Sequence, residues 1–183
     1  MLPSTSGKFP TDPIDLERSL NETLARLLGV EKKIVTVTKP TPQELEISAS
    51  ISDLEMAITQ IAKREASNQG VTVQEVRLNF RQLGLRALEL EVNVRAQKMV
   101  FATTIRITGR LEINEQLTAS ISGLNCAGEG AIGSMACAFL SPQLAKVNGQ
   151  SFSLTTLAGS EISLRDVRFS AGDRVAATAV FAS

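Results

Sequence analysis

Residues 128–133, Gly128-Glu-Gly130-Ala-Ile-Gly133, spell a G-x-G-x-x-G between a predicted strand and a predicted helix. In a dinucleotide-binding fold such glycines make a tight turn and bring backbone N–H groups to a pyrophosphate. The surroundings argue otherwise. The preceding strand alternates instead of running continuously apolar, Pro142 interrupts the helix, and no acidic residue ends the strand that follows. A flexible strand-to-helix joint is the expectation for Gly128, Gly130 and Gly133, and no cofactor is expected.

Other reactive groups are equally isolated. The chain has no His, Tyr or Trp, which removes Ser-His-Asp and Cys-His catalysis, imidazole metal sites and aromatic cages. Cys126 and Cys137 are too few and too close for a disulfide framework, have no base beside them, and read as free, buried thiols. Asp166, Asp173, Glu112 and Glu115 fall at strand ends or turns, where solvation is the ordinary state of a carboxylate. Asn21-Glu22-Thr23 is a formal glycosylation sequon, but it lies inside a predicted helix. No catalytic residue and no metal site is therefore expected, and the chain reads as a non-enzyme.

Charge sums to zero, with 19 Lys+Arg and 19 Asp+Glu among 183 residues, which argues against broad nucleic-acid binding. It is unevenly placed. Residues 76–110 carry Arg77, Arg81, Arg86, Arg95, Lys98, Arg106 and Arg110 against Glu89 and Glu91. A basic sheet face of this kind could meet anionic headgroups or an acidic partner, and Arg77, Arg81, Arg86, Arg106 and Arg110 are the candidates. The plainer reading is a solvated face on which arginines pair across strands.

The elements that position these groups follow from periodicity. Residues 1–11 are Pro/Ser/Thr-rich and read as disordered; residues 12–183 read as one α+β domain, with 12–43 as an N-terminal helix-and-strand appendage. Asp12-Pro13 starts a helix carrying the stripe Leu16, Leu20, Leu24, Leu27 and Leu28, and Gly29 stops it. Strands follow over 34–38 and 45–51. Ser52-Asp-Leu-Glu55 spells a capping box, with Ile51 and Met56 placed as a hydrophobic staple, for a helix running to Asn68-Gln69-Gly70. Four strands come next, over 71–80 (bulged near Gln74-Glu75), 85–95, 99–113 and onward from Leu117. A helical region over 129–148 is divided by Pro142, and strands over 151–157, 161–169 and 173–181 close the chain. The expected architecture is a long curved antiparallel sheet wrapped around amphipathic helices.

No signal peptide or membrane span is visible, so a soluble, cytoplasmic protein is expected, although a chain trimmed of its leader would look the same. The interior is aliphatic, with seven Phe as the whole aromatic content. A sheet gripping such helices either packs solid or leaves an aliphatic groove for alkyl chains. Candidate lining residues are Leu54, Ile58, Ile61, Phe101, Ile105, Ile107, Phe139 and Leu140.

Residues 45–127 resemble the bacterial members of the tubular lipid-binding superfamily, with its bactericidal/permeability-increasing-type fold. The likeness rests on the entry into a capped helix at Ile51-Ser-Asp-Leu-Glu-Met-Ala-Ile58. It continues in the strand Gly70-Val-Thr-Val-Gln-Glu-Val-Arg-Leu78 opening a long meander, and in Ser163-Leu-Arg-Asp-Val-Arg-Phe169 after the second helix. The resemblance implies a helix cradled in a rolled sheet, an apolar channel for lipid tails and no catalytic residues. An apolar small molecule or lipid, and a membrane surface, are the partners it admits. The alternative is an interaction protein with a filled core that docks an unspecified protein through its basic face or an edge strand.

Overall fold

The computed structural model describes residues 12–158 and 163–182. The expected disorder of residues 1–11 and the first residues of the 161–169 strand lie outside them. Helix α1 (Pro13–Leu28) begins where Asp12 accepts from the Ile14 N–H at 2.8 Å. It ends at Gly29, whose φ of 65° lets its N–H donate to the Ala25 carbonyl at 2.8 Å. Leu16 is buried, but Leu27 is exposed and does not belong to the stripe.

Strands β1 (Val35–Thr38) and β2 (Glu44–Ser50) lead into α2 (Ile51–Ser67). The N-cap is Ser50, whose Oγ accepts from the Asp53 N–H at 3.1 Å, so the helix starts two residues before the expected box. Ile51 is thereby inside the helix and Met56 is exposed, so no staple forms. Glu55 does other work: it accepts from the Leu78 N–H at 2.8 Å and ties α2 to the next strand. That strand, β3 (Thr72–Gly84), carries the expected bulge between Val73 and Glu75.

The meander continues through β4 (Ala87–Lys98), β5 (Phe101–Ile113) and β6 (Thr118–Gly128) into α3 (Gly130–Val147). Pro142 does not divide α3. It lacks the N–H that the Ala138 carbonyl would take, but both residues are exposed, so water can serve that carbonyl. The expected strand 151–157 is cut short. β7 (Ser151–Ser153) gives way to α4 (Leu154–Ala158), with Ser153 Oγ accepting from the Thr156 N–H at 3.4 Å as a cap would. β8 (Leu164–Ala171) and β9 (Arg174–Phe181) finish the chain.

The class is α+β, as expected, but the strands divide into two open antiparallel sheets. One has the order β1-β2-β9-β8 and the other β3-β4-β5-β6-β7. Three apolar clusters join the layers. Val30, Ile34, Ala49 and Ala57 hold α1 and α2 to the four-stranded sheet, and Val73, Val76 and Leu78 seat α2 on β3. Leu88, Ile113, Leu117 and Ala119 meet Val167 and Phe169 where the two sheets abut.

Asn21, the sequon residue, is a clamp. Its Nδ2 donates to the carbonyls of Glu17 (2.9 Å) and Val35 (2.8 Å), and its Oδ1 accepts from the Ile34 (2.8 Å) and Val35 (2.9 Å) N–H groups. Asn21→Ala leaves those backbone groups unpaired and should cost about 2 kcal/mol. Thr23→Ala destroys the same sequon but removes only one exposed bond, to the Ser19 carbonyl. It should stay within about 0.5 kcal/mol of the parent in thermal unfolding.

Candidate functional site

Residues directly opposite in an antiparallel sheet point to the same face. The register places Leu78, Val92, Ile107 and Cys126 in one such row across β3, β4, β5 and β6. Leu78 lies under α2. Cys126 is bonded to Cys137 of α3, with the two Cα atoms 5.4 Å apart. So α2 and α3 occupy the same face at opposite ends of the row, with Val92 and Ile107 between them. The next rows, Phe80–Leu90–Gly109 and Leu88–Leu111–Ile121, extend that strip.

The strip holds an apolar recess of about 200 Å³, lined by Leu90, Val92, Ile107, Gly109, Leu111, Ile121 and Leu124, with Thr108 and Arg110 at its margin. Gly109 shapes the floor: a Cβ there would stand 2.6 Å from Leu124 Cδ2, so Leu124 leans over the strand only because position 109 has no side chain. A register shift in the β5–β6 pairing between Thr108 and Arg110 sets Gly123 and Leu124 out of the ladder. The volume lies below the roughly 300–1,000 Å³ of pockets that enclose a drug-sized ligand. A larger, shallow depression of about 390 Å³ lies between α1 and residues 31–33, but Glu17 and Asn21 within it already bind Lys33 and the backbone.

Of the eight lining residues expected from sequence, Ile107 lines the recess. Leu54 and Ile58 pack between α2 and β3, Ile61 is half-buried on α2, Ile105 is buried beside the recess, and Leu140 is half-buried on α3. Phe101 and Phe139 are exposed. Of the residues missed, Leu90, Val92, Leu111 and Ile121 were signalled by strand parity and needed the pairing register as well; Leu124 has the opposite parity from Ile121 and reaches this face only through the register shift.

The five arginines proposed for a basic face all stand within 4.0 Å of carboxylates. Arg81 holds Glu89 through both oxygens (2.9 and 2.8 Å) and Arg77 binds Glu75 at 2.6 Å. Arg110 binds Glu112 at 2.7 Å, and Arg106 stands 3.8 Å from Glu91 and 3.4 Å from the Asn93 side chain. Arg86 is only one-third exposed and bridges the sheets, donating to Asp166 of β8 at 2.9 and 2.7 Å. Burial pushes the Asp166 carboxyl up, but hydrogen bonds from Arg168 and Arg86 outweigh it and hold its pKa below the ordinary value. This pair belongs to the junction where Gln82 donates to the Phe169 carbonyl at 2.9 Å.

The G-x-G-x-x-G segment is a packed joint, not a flexible one. A Cβ on Gly128 would sit 2.1 Å from the Gly133 carbonyl carbon and oxygen, and one on Gly133 would lie 2.6 Å from Thr103 Oγ1. The two backbones thus pack directly against each other where β6 passes into α3. Gly130 supplies a φ of 66°. The cysteines, expected as free thiols, are paired; the turn through Gly128 and Gly133 folds α3 back along β6 and brings Cys137 onto Cys126. Among the described residues there is no cluster of three or more metal-ligating side chains and no buried side-chain polar atom lacking a partner. Among them, too, no helix is long and apolar enough to cross a membrane. Comparison with family models, with curated proteins and with solved structures finds no match to this chain.

Proposed function

We propose that this chain is a non-enzymatic binding protein whose recess between α2 and α3 receives an alkyl segment of a lipid or another apolar ligand. The observation that carries the reading is the row Leu78–Val92–Ile107–Cys126, with a helix at each end and Val92 and Ile107 only half-buried between them at the recess. The aliphatic surface still open inside this two-helix frame is costly to leave to water, at about 25 cal/mol for each Å². The small volume suits one chain segment, with any polar headgroup outside. The resemblance of residues 45–127 to the tubular lipid-binding superfamily points the same way. Docking of a protein through the basic face has less to recommend it, because the five arginines stand beside carboxylates. The Cys126–Cys137 disulfide favours an oxidising compartment over the reducing cytoplasm expected from sequence.

Organic extraction of the purified protein followed by mass spectrometry should release an acyl-bearing molecule, and the emptied protein should take up a fluorescent fatty acid. Leu124→Trp, which fills the recess from its rim, should lower that uptake about ten-fold while leaving the thermal midpoint within a few degrees. A clean extract together with no uptake by the parent protein would falsify the reading.

A further inference from the structure

The β4–β5 hairpin turns through Met99 and Val100, with Lys98 opposite Phe101. Met99, Val100 and Phe101 are 85%, 84% and 59% exposed, a run of three large apolar side chains in water. Turn chemistry does not ask for them. Met99 has a φ of 57°, a conformation that favours glycine or asparagine in a tight hairpin. The turn is nevertheless braced from behind: Gln97 donates to the Met99 carbonyl at 2.9 Å and accepts from Gln74 at 2.7 Å. Polar side chains hold the tip while apolar ones project from it.

Two further observations name the partner. Arg95 and Lys98 flank the tip, and among the described residues neither has a carboxylate within 4.0 Å, unlike the arginines farther along the sheet. Residues 92–111 contain no Asp or Glu at all. Second, α3 starts at this end of the sheet, where the Glu129 N–H donates to the Thr104 carbonyl at 3.0 Å and Thr103 Oγ donates to the Glu129 carbonyl at 2.8 Å. Its outward face carries Met135 and Phe139, 73% and 60% exposed, within an uncharged run over 130–145; the exposed Glu129 is the carboxylate at its N-cap.

We infer that the Met99–Val100–Phe101 tip inserts into an anionic lipid surface, with Arg95 and Lys98 at headgroup level. A narrow apolar projection with cations behind it suits a fluid interface better than the broad complementary surface of a protein partner. The face of β5 that carries Phe101 continues through Thr103 and Ile105, both buried, to Ile107, so the tip and the recess lie on one face of the sheet with the start of α3 packed between them. The biological purpose of the tip rests on the recess being a lipid site, but its test does not.

Sedimentation with phosphatidylcholine vesicles, with and without phosphatidylglycerol, reads the tip directly. The parent protein should bind the phosphatidylglycerol-containing vesicles, and Met99→Asp with Val100→Asp should weaken this about ten-fold or more with an unchanged melting curve. Arg95→Ala with Lys98→Ala should erase the preference for anionic vesicles. Leu124→Trp, which blocks the recess, should bind vesicles like the parent, so that tip and recess can fail separately. No vesicle binding by the parent, equal binding by the Asp variant, or a parent dimer that the same Asp substitutions dissociate would each overturn the inference.

Discussion

Gly128→Ala should destabilise the protein by about 3 kcal/mol or more, the cost of overpacking where the obstructing atoms are backbone and cannot rotate away. The added methyl would stand 2.1 Å from the carbonyl carbon and oxygen of Gly133, so β6 and the first turn of α3 would have to separate. Gly133→Ala should cost nearly as much, because its methyl would meet Thr103 Oγ1 at 2.6 Å and the Gly128 carbonyl carbon at 2.7 Å. Gly130→Ala should be mild, about 1 kcal/mol, since its surroundings are open and only its left-handed φ of 66° resists a side chain. Denaturant unfolding of the three variants checks the order. Hydrogen exchange should show protection lost first in the amides of α3. A nucleotide-cradling loop would add a different result, a thermal shift with NAD in the parent.

That contrast also marks how far the sequence could be read. Several local signals held. Asp12-Pro13 and Gly29 bracket α1, and the change of apolar parity after Val73 marks the bulge in β3. Alternation over 85–95 and 99–113 likewise identified the strands that floor the recess. Competition between neighbouring groups was less legible. The sequence pointed to Ser52 as the cap of α2, but Ser50 takes that place, and Glu55, which a Ser52 box would use, accepts from the Leu78 N–H of another element. The expected lining drew residues from each element separately, whereas the recess is defined by which residues lie opposite one another across four strands. Phe139 shows the same limit. Its apolar character suggested the interior, but α3 turns Gly133 and Cys137 to the sheet and leaves Phe139 outside. The long-range pairing of the basic face was foreseeable only as a tendency, since no local pattern says that Arg86 will reach Asp166, 80 residues on.

Reduction of the Cys126–Cys137 disulfide, or its replacement by Cys126→Ser with Cys137→Ser, should cost about 3 kcal/mol, from the chain entropy restored to a loop of this length. The sequence separation is 11 residues, and that segment contains the whole Gly128–Gly133 joint. At roughly 2–4 °C for each kcal/mol in a chain of this size, the thermal midpoint should fall by about 6–12 °C. The loss should also be local. Few other ties hold the middle of α3, where Gly133 and Cys137 are the buried residues; the remaining anchors lie at its ends. One is the Glu129 N–H to Thr104 carbonyl bond at 3.0 Å, and another is the Leu124 N–H to Asn148 Oδ1 bond at 3.1 Å. Because Cys126 stands opposite Ile107, freeing α3 loosens one wall of the recess. Reduced protein should therefore bind a fluorescent fatty acid with altered affinity while α1 and the four-stranded sheet keep their exchange protection. Calorimetry of oxidised and reduced protein, with the linked peptides identified by mass spectrometry under non-reducing conditions, checks both parts. An unchanged midpoint after complete reduction would mean that packing at Gly128 and Gly133 alone holds α3 in place.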